Sequence, residues 1–289
     1  MSNIRFGPAG SSDSFFAMGY KHTPQMPEYL ERMGLNAYEY QCGRGVKISQ
    51  EKAAQLKGLF SEKGIALSVH APYYISMSSM EEEKRIGSVN YVLQSARAAA
   101  AMGGSRVIIH TGSCGKISRT EALELALDTT KKCIKALDAE GLSHIRMCPE
   151  VMGKLNQLGT LEEVLEICKL DERILPCVDF GHLNARTYGG LKGPEDFDAV
   201  FQKIEKEIGV SRMKEIHIHF SKIQYTIPGG EKLHLTFEDT QFGPSFEPLA
   251  EILVKKGCVP TIICESAGTQ AEDAAAMKQM YLNAGGTLI

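Results

Sequence analysis

Gly103-Gly104-Ser105-Arg106-Val107-Ile108-Ile109-His110 is the stretch whose reading decides the fold. Gly103 closes a helical pattern, as a glycine just past a helix C-terminus does. Three aliphatic residues in a row, Val107-Ile108-Ile109, leave neither face of a strand polar, which is how a buried parallel strand reads. His110 then puts a polar side chain where the strand ends. The same order of strand, polar terminus, helix and glycine recurs along the chain.

Strand patterns fall at residues 4–7, 37–41, 66–70, 106–110, 145–150, 175–179, 214–219 and 260–265. Helical patterns lie between them at 49–63, 82–102, 119–140, 161–170, 195–208, 246–256 and 270–283. Gly34, Gly64, Gly141, Gly209 and Gly257 punctuate other helix ends, and Thr160 with Glu163 forms a capping-box pattern. Alternating strands and helices predict a parallel sheet with helical crossovers. Eight such units favour closure, so the expectation is an α/β fold: a (β/α)8 TIM barrel, single domain, over residues 1–289. The length of 289 residues suits one barrel, typically about 250 residues. No Gly-x-Gly-x-x-Gly follows the first strand, which removes support for a dinucleotide fold. The longest expected loop is 225–244, and long loops in compact domains are often functional.

Composition narrows the class further. Hydrophobic residues make up 43% and charged residues 23%, ordinary for a soluble globular protein. No apolar run reaches the roughly 18 residues a membrane span needs. Met1-Ser2-Asn3-Ile4-Arg5-Phe6 lacks the basic-then-apolar pattern of a secretory leader, so a cytoplasmic location is expected. The eight cysteines form no Cys-x-x-Cys pair and are expected to be reduced and buried. A net charge of −3 offers nucleic acid no global attraction, so DNA binding would require a local basic patch.

Ligand-type residues recur at the C-terminal ends of strands three to eight: His70, His110, Glu150, Asp179, His217 and Glu265. His182 follows Asp179 by one turn, and His234 lies in the long loop. In a barrel these strand ends converge on one mouth, where catalytic residues from several strands meet. Imidazole and carboxylate suit zinc or another transition metal, and carboxylates bridge two ions. His219 shares a face with His217 by the strand pleat, as a ligand or as a partner behind one. His22 and His144 read as structural.

The segments Ser68-Val69-His70-Ala71-Pro72-Tyr73, Ile108-Ile109-His110-Thr111-Gly112-Ser113, Cys148-Pro149-Glu150, Val178-Asp179-Phe180-Gly181-His182 and Glu215-Ile216-His217 together resemble the endonuclease IV family. That family is AP endonuclease family 2, within the xylose isomerase-like TIM barrel superfamily. The likeness runs in order from about residue 3 to residue 285. It implies a barrel with a three-zinc cluster that incises DNA 5′ of abasic sites, a metal-generated hydroxide being the attacking group.

By that resemblance His70 and His110 hold one zinc, and Glu150 bridges it to a second completed by Asp179, His217 and Glu265. His182 and His234 hold the third. Two or three ions are implied, with Mn2+ as an alternative metal, and Glu265 and Glu150 are the implied catalytic residues. Tyr73 matches a residue that enters DNA near the lesion. Arg44, Lys154, Arg186, Lys222 and Lys232 are candidates for phosphate contacts. The implied partner is DNA containing abasic sites; no membrane and no protein partner is implied.

One position departs from the family. Where it has an Asp two residues before the last His, this chain has Lys232, with Glu231 one residue further off. The third metal is therefore expected to bind more weakly, unless a shift of the loop lets Glu231 take over. The rival reading is a sugar isomerase or epimerase of the same superfamily, with one metal on Glu150, Asp179, His217 and Glu265 and a proton shuttled by the two Glu. His70, His110, His182 and His234 are surplus to that chemistry and favour the nuclease. A non-catalytic nucleic-acid binder would have no use for the full ligand set.

Overall fold

The computed structural model describes residues 3–288. Its strands are β1 (Arg5–Pro8), β2 (Ala37–Gln41), β3 (Ala66–His70), β4 (Arg106–Ile109), β5 (Arg146–Pro149), β6 (Cys177–Asp179), β7 (His217–Phe220), β8 (Lys222–Thr226), β9 (Gly230–Leu235) and β10 (Thr261–Cys264). Its helices are α1 (Asp13–Ala17), α2 (Met26–Arg32), α3 (Gln50–Glu62), α4 (Glu82–Ala101), α5 (Arg119–Ala139), α6 (Leu161–Cys168), α7 (Phe180–Arg186), α8 (Pro194–Ile208), α9 (Val210–Lys214), α10 (Glu247–Lys256) and α11 (Gln270–Asn283).

Eight strands are parallel. They run β2-β3-β4-β5 and β1-β10-β7-β6. Two isolated parallel bridges, Ala9 with Glu39 and Glu150 with Cys177, join the two runs at both edges. The strands thus close into one ring, and the protein is a single-domain (β/α)8 barrel. Alternation along each strand divides the core. Val107 and Ile109 of β4 belong to the large cluster shared with helix residues such as Leu56, Phe201 and Leu253. Ile108 falls instead with Cys148, Leu175 and Cys177 in a small separate cluster inside the ring.

Local signals place the helices. Ser118 and Glu121 form a reciprocal cap at α5, as do Thr160 and Glu163 at α6. Gly257 ends α10 in the left-handed conformation, φ 61°, which a side chain would disfavour. All eight cysteines are free and buried. Among the described residues no helix is long and apolar enough to cross a membrane.

Three expectations shift. The pattern puts the seventh barrel strand at 214–219, but Val210–Lys214 is helical and β7 starts only at His217. The expected loop 225–244 is in part a hairpin, β8 pairing with β9 antiparallel. The helix α7 begins directly after Asp179, whose Oδ1 accepts from the His182 amide at 2.7 Å and caps it.

Candidate metal centre

His70 and Asp179 end β3 and β6, while His110, Glu150 and Glu265 directly follow β4, β5 and β10. The parallel strands carry all five to one mouth. There a cavity of about 210 Å3 is lined by His70, His110, Glu150, His182, Glu231 and Glu265, among others. Among the described residues five sets of ligand-type atoms lie within 4.8 Å of one another: His70 with His110 and Glu150; Glu150 with Asp179, His219 and Glu265; His182 with Glu231 and His234; Glu39 with His70, His219 and Glu265; and, deeper, Cys177 with His217 and His219. Glu150 belongs to two of them.

The shift of β7 decides which histidine faces the mouth. His217 lies in register with Cys177 and Thr261 at the start of the neighbouring strands, whereas His219 lies level with Asp179 and Ile263. The sequence pattern puts His217 among the ligands. In the structure His217 lies deeper, its Nε2 3.1 Å from Glu39 Oε2. His219 takes the place expected for His217: its Nδ1 is 3.0 Å from Glu150 Oε1 and 3.4 Å from Glu265 Oε1.

Glu231 reaches the mouth through a bulge. Residues three apart on a regular strand point to opposite faces, so Glu231 and His234 should not meet. The ladder, however, jumps from Gln224 opposite Leu233 to Tyr225 opposite Glu231, leaving Lys232 unpaired. The extra residue resets the alternation. Glu231 Oε2 then lies 3.4 Å from His182 Nε2, and Oε1 4.0 Å from His234 Nε2. Gly153 makes room, since a Cβ there would come within 2.6 Å of the Glu231 Cβ and 2.9 Å of His182 Cδ2.

The ring nitrogens are held from behind. His70 Nδ1 is 2.9 Å from the Ala71 carbonyl, His182 Nδ1 3.0 Å from the Val151 carbonyl, and His234 Nδ1 2.9 Å from Ser221 Oγ. A carbonyl only accepts, so the facing nitrogens of His70 and His182 carry hydrogen and each Nε2 is left to act as a ligand.

Five carboxylates, Glu39, Glu150, Asp179, Glu231 and Glu265, converge on these rings. Burial alone would push the His70 and His182 imidazoles down, but neighbouring charges, chiefly Glu150 for His70 and Asp179 for His182, hold both up at about 9. Burial opposes ionisation of Glu150 too, yet His219, His110 and His70 hold it well below the usual carboxylate range. Glu150 Oε2 and Asp179 Oδ2 are buried and have no hydrogen-bond partner among the described residues. Glu150 Oε2 nevertheless lies only 3.1 Å from His110 Nε2 and 3.5 Å from His70 Nε2. Unpartnered anionic oxygens facing ring nitrogens are what a divalent cation satisfies, and the His/carboxylate donor set fits zinc or a similar ion.

The basic candidates do not behave alike. Arg44, Lys154 and Lys232 are exposed, and Lys154 lines the cavity. Lys222 is tied down instead: its ammonium donates to the Phe237 carbonyl at 2.9 Å and to that of Asp239. Arg186 braces the loop after β5 through the carbonyls of Met152, Lys154 and Gln157. Tyr73 is 65% exposed, unusual for so large a ring, and packs edge-on against Tyr74. Sequence reasoning misses Glu39. Its signal is present all the same: an acidic residue inside Tyr38-Glu39-Tyr40, on the inward face of a barrel strand.

Comparison with known proteins agrees with this architecture. Residues 27–282 match the xylose isomerase-like TIM barrel family, and the chain belongs to it. It is 30% identical to an uncharacterized protein of Methanocaldococcus jannaschii, over 90% of this chain and 91% of that relative. It is 28% identical to a probable endonuclease 4 of Acholeplasma laidlawii, over 61% of this chain and 60% of the relative. Among solved structures, endonuclease IV from Thermus thermophilus superposes with a TM-score of 0.67 at 20% identity, covering 97% of this chain and 98% of that one. A D-tagatose 3-epimerase-like protein superposes with a TM-score of 0.72 at 20% identity, covering 97% of both. At that identity the two structures speak to the fold alone.

Proposed function

We propose that the protein is a zinc-dependent phosphodiesterase that incises duplex DNA on the 5′ side of abasic sites. The observation that carries this reading is the surplus of ligands. Glu150, Asp179, His219 and Glu265 would suffice for a single-metal epimerase, yet His70, His110, His182, Glu231 and His234 are gathered at the same mouth. An epimerase has no use for them, and a phosphodiesterase that must spread charge over a transferring phosphate does.

The His70–His110–Glu150 set would hold one ion, the Glu150–Asp179–His219–Glu265 set a second, and the His182–Glu231–His234 set a third. Ions bound there would make water a nucleophile near neutral pH and offset negative charge on a phosphoryl group. The two acidic candidates differ in access. Glu150 is 1% exposed and Glu265 16%. Glu150, shared by two of the sets, would therefore serve as a ligand to both inner ions, and Glu265, the carboxylate that meets the cavity, would orient the attacking water and take its proton. Exposed Lys154, Arg44 and Lys232 contact phosphates, and Tyr73 presents its ring to the bases beside the lesion.

A nicking assay on duplex DNA with one abasic site tests this. Zinc-loaded protein should cut on the 5′ side, and Glu265→Gln should not. Absence of incision with zinc or manganese, together with epimerisation of a ketose, would replace this reading with the sugar-enzyme one.

A further inference from the structure

The histidines of the mouth do not all face the same way. His70, His182 and His234 turn Nδ1 to the rear, onto a carbonyl or a hydroxyl, and Nε2 to the cavity. His219 is reversed: Nδ1 faces Glu150 and Glu265, and Nε2 points back into the barrel, 3.1 Å from Glu39 Oε1. We propose that Glu39 is the positioning residue for His219, taking the Nε2–H so that Nδ1 is the nitrogen offered to a metal. This rests on the reading of the mouth as a metal centre.

Glu39 is built to hold that place. It is fully buried. Its Oε2 accepts from Ser68 Oγ at 2.9 Å, and Ser68 sits directly opposite it in the β2–β3 register. The same oxygen lies 3.1 Å from His217 Nε2, and Oε1 accepts from Gln41 Nε2 at 3.3 Å. The carboxylate is thus clamped on both oxygens before His219 is considered. Its approach to His219 Nε2 is close but oblique, outside hydrogen-bond alignment. A cation drawn to Nδ1 removes the pull of Glu150 and Glu265 on that side of the ring and leaves Nε2–H facing Glu39. The Cys177 thiol, grouped with His217 and His219, is a much weaker acceptor.

A buried carboxylate at this position is costly unless something requires it, and barrel interiors are commonly filled by branched aliphatic residues. A carboxylate behind a metal-bound imidazole fixes its tautomer, aims the ring and raises its basicity. His217 shares the carboxylate from below. That accounts for two histidines at alternate positions of one strand with only one of them at the mouth.

Long-range proton–nitrogen NMR on zinc-loaded protein with isotope-labelled histidine tests the proposal. His219 should carry its proton on Nε2 and the metal on Nδ1. Zinc titration of Glu39→Gln should show affinity at the Glu150–Asp179–His219–Glu265 set reduced about 10- to 100-fold, with the His182–Glu231–His234 set unchanged. Glu39→Asp, which keeps the charge and withdraws the oxygen, should lose affinity in the same way. Metal on Nε2 of His219 would overturn the proposal, as would a folded Glu39→Gln protein with wild-type affinity and an unchanged tautomer. If neither variant folds, the wild-type tautomer decides. Wild-type protein that takes up no zinc would instead remove the metal centre itself, and this proposal with it.

Discussion

Glu231 and His234 face the same side of β9 although three residues separate them, because Lys232 is left out of the ladder between them. A single bulge in β9 takes up the extra residue. Lys232 is therefore unpaired, and the carboxylate that lies beside His182 is that of Glu231. Glu231→Gln should weaken zinc at the His182–Glu231–His234 set by more than about tenfold, since loss of even an outer partner costs that much. Lys232→Asp should leave that affinity unchanged. A rise in zinc occupancy with Lys232→Asp would show that the bulge does not deliver Glu231 to the metal.

Gly153 is the contact that lets the hairpin approach so closely. An added methyl group would collide with the Glu231 Cβ and with His182. Gly153→Ala should cost about 1–3 kcal/mol of stability, the usual penalty of overpacking, and should release the third zinc before the inner two. Thermal melts paired with zinc titration check this. Unchanged stability and stoichiometry would show that the loop moves aside.

His219 and His217 are chemically identical and separated by one residue, yet their variants should diverge. His219→Asn should lose zinc from the Glu150–Asp179–Glu265 set. His217→Asn should keep full stoichiometry while losing about 1–3 kcal/mol of stability, because a buried oxygen of Glu39 loses a donor. Elemental analysis of the two variants after zinc loading separates them. Equal loss of metal in both would contradict the register argument.

Stability should respond to pH in opposite ways with and without metal. In the metal-free protein His70 and His182 are held up at about 9, above the ordinary histidine value of 6.5. Their contribution is fully present below that unfolded value and is lost as pH rises through about 9. Glu39 and Glu150 are held well below 4.5, so their contribution is constant across the alkaline range and fades only on strong acidification. His217 is pushed by burial to about 4, so it costs stability only as pH falls below 6.5. The Tm of the metal-free protein should thus fall between about pH 7 and pH 10. Zinc must displace protons from these rings, so its affinity should rise over the same range. A metal-free Tm that stays flat there would show that the histidines are already neutral in the folded protein.

Much of this is legible in the sequence, and the exceptions share a cause. Strand and helix order follows from periodicity and glycine stops. His70, His110, Glu150, Asp179 and Glu265 stand out because each sits at the end of an apolar strand. The pattern favours His217 over His219 because α9 runs directly into β7, and no turn residue between Lys214 and His217 marks where helix becomes strand. The two-residue offset between His217 and His219 changes depth in the barrel without changing face, so the pattern cannot reveal it. The Lys232 bulge is invisible for a related reason: it is a property of pairing with β8, and pairing is not written in one strand. Glu39 escapes notice because it sits in the middle of its strand rather than at the C-terminal end.

The count of metals tests the account most directly. Metal-free protein titrated with zinc, with bound metal measured per chain, should saturate above one ion, at two or three, with the inner pair filling before the His182–Glu231–His234 set. Saturation at a single ion per chain under excess zinc would contradict it, leaving Glu150, Asp179, His219 and Glu265 as a mononuclear site and the remaining histidines as structure.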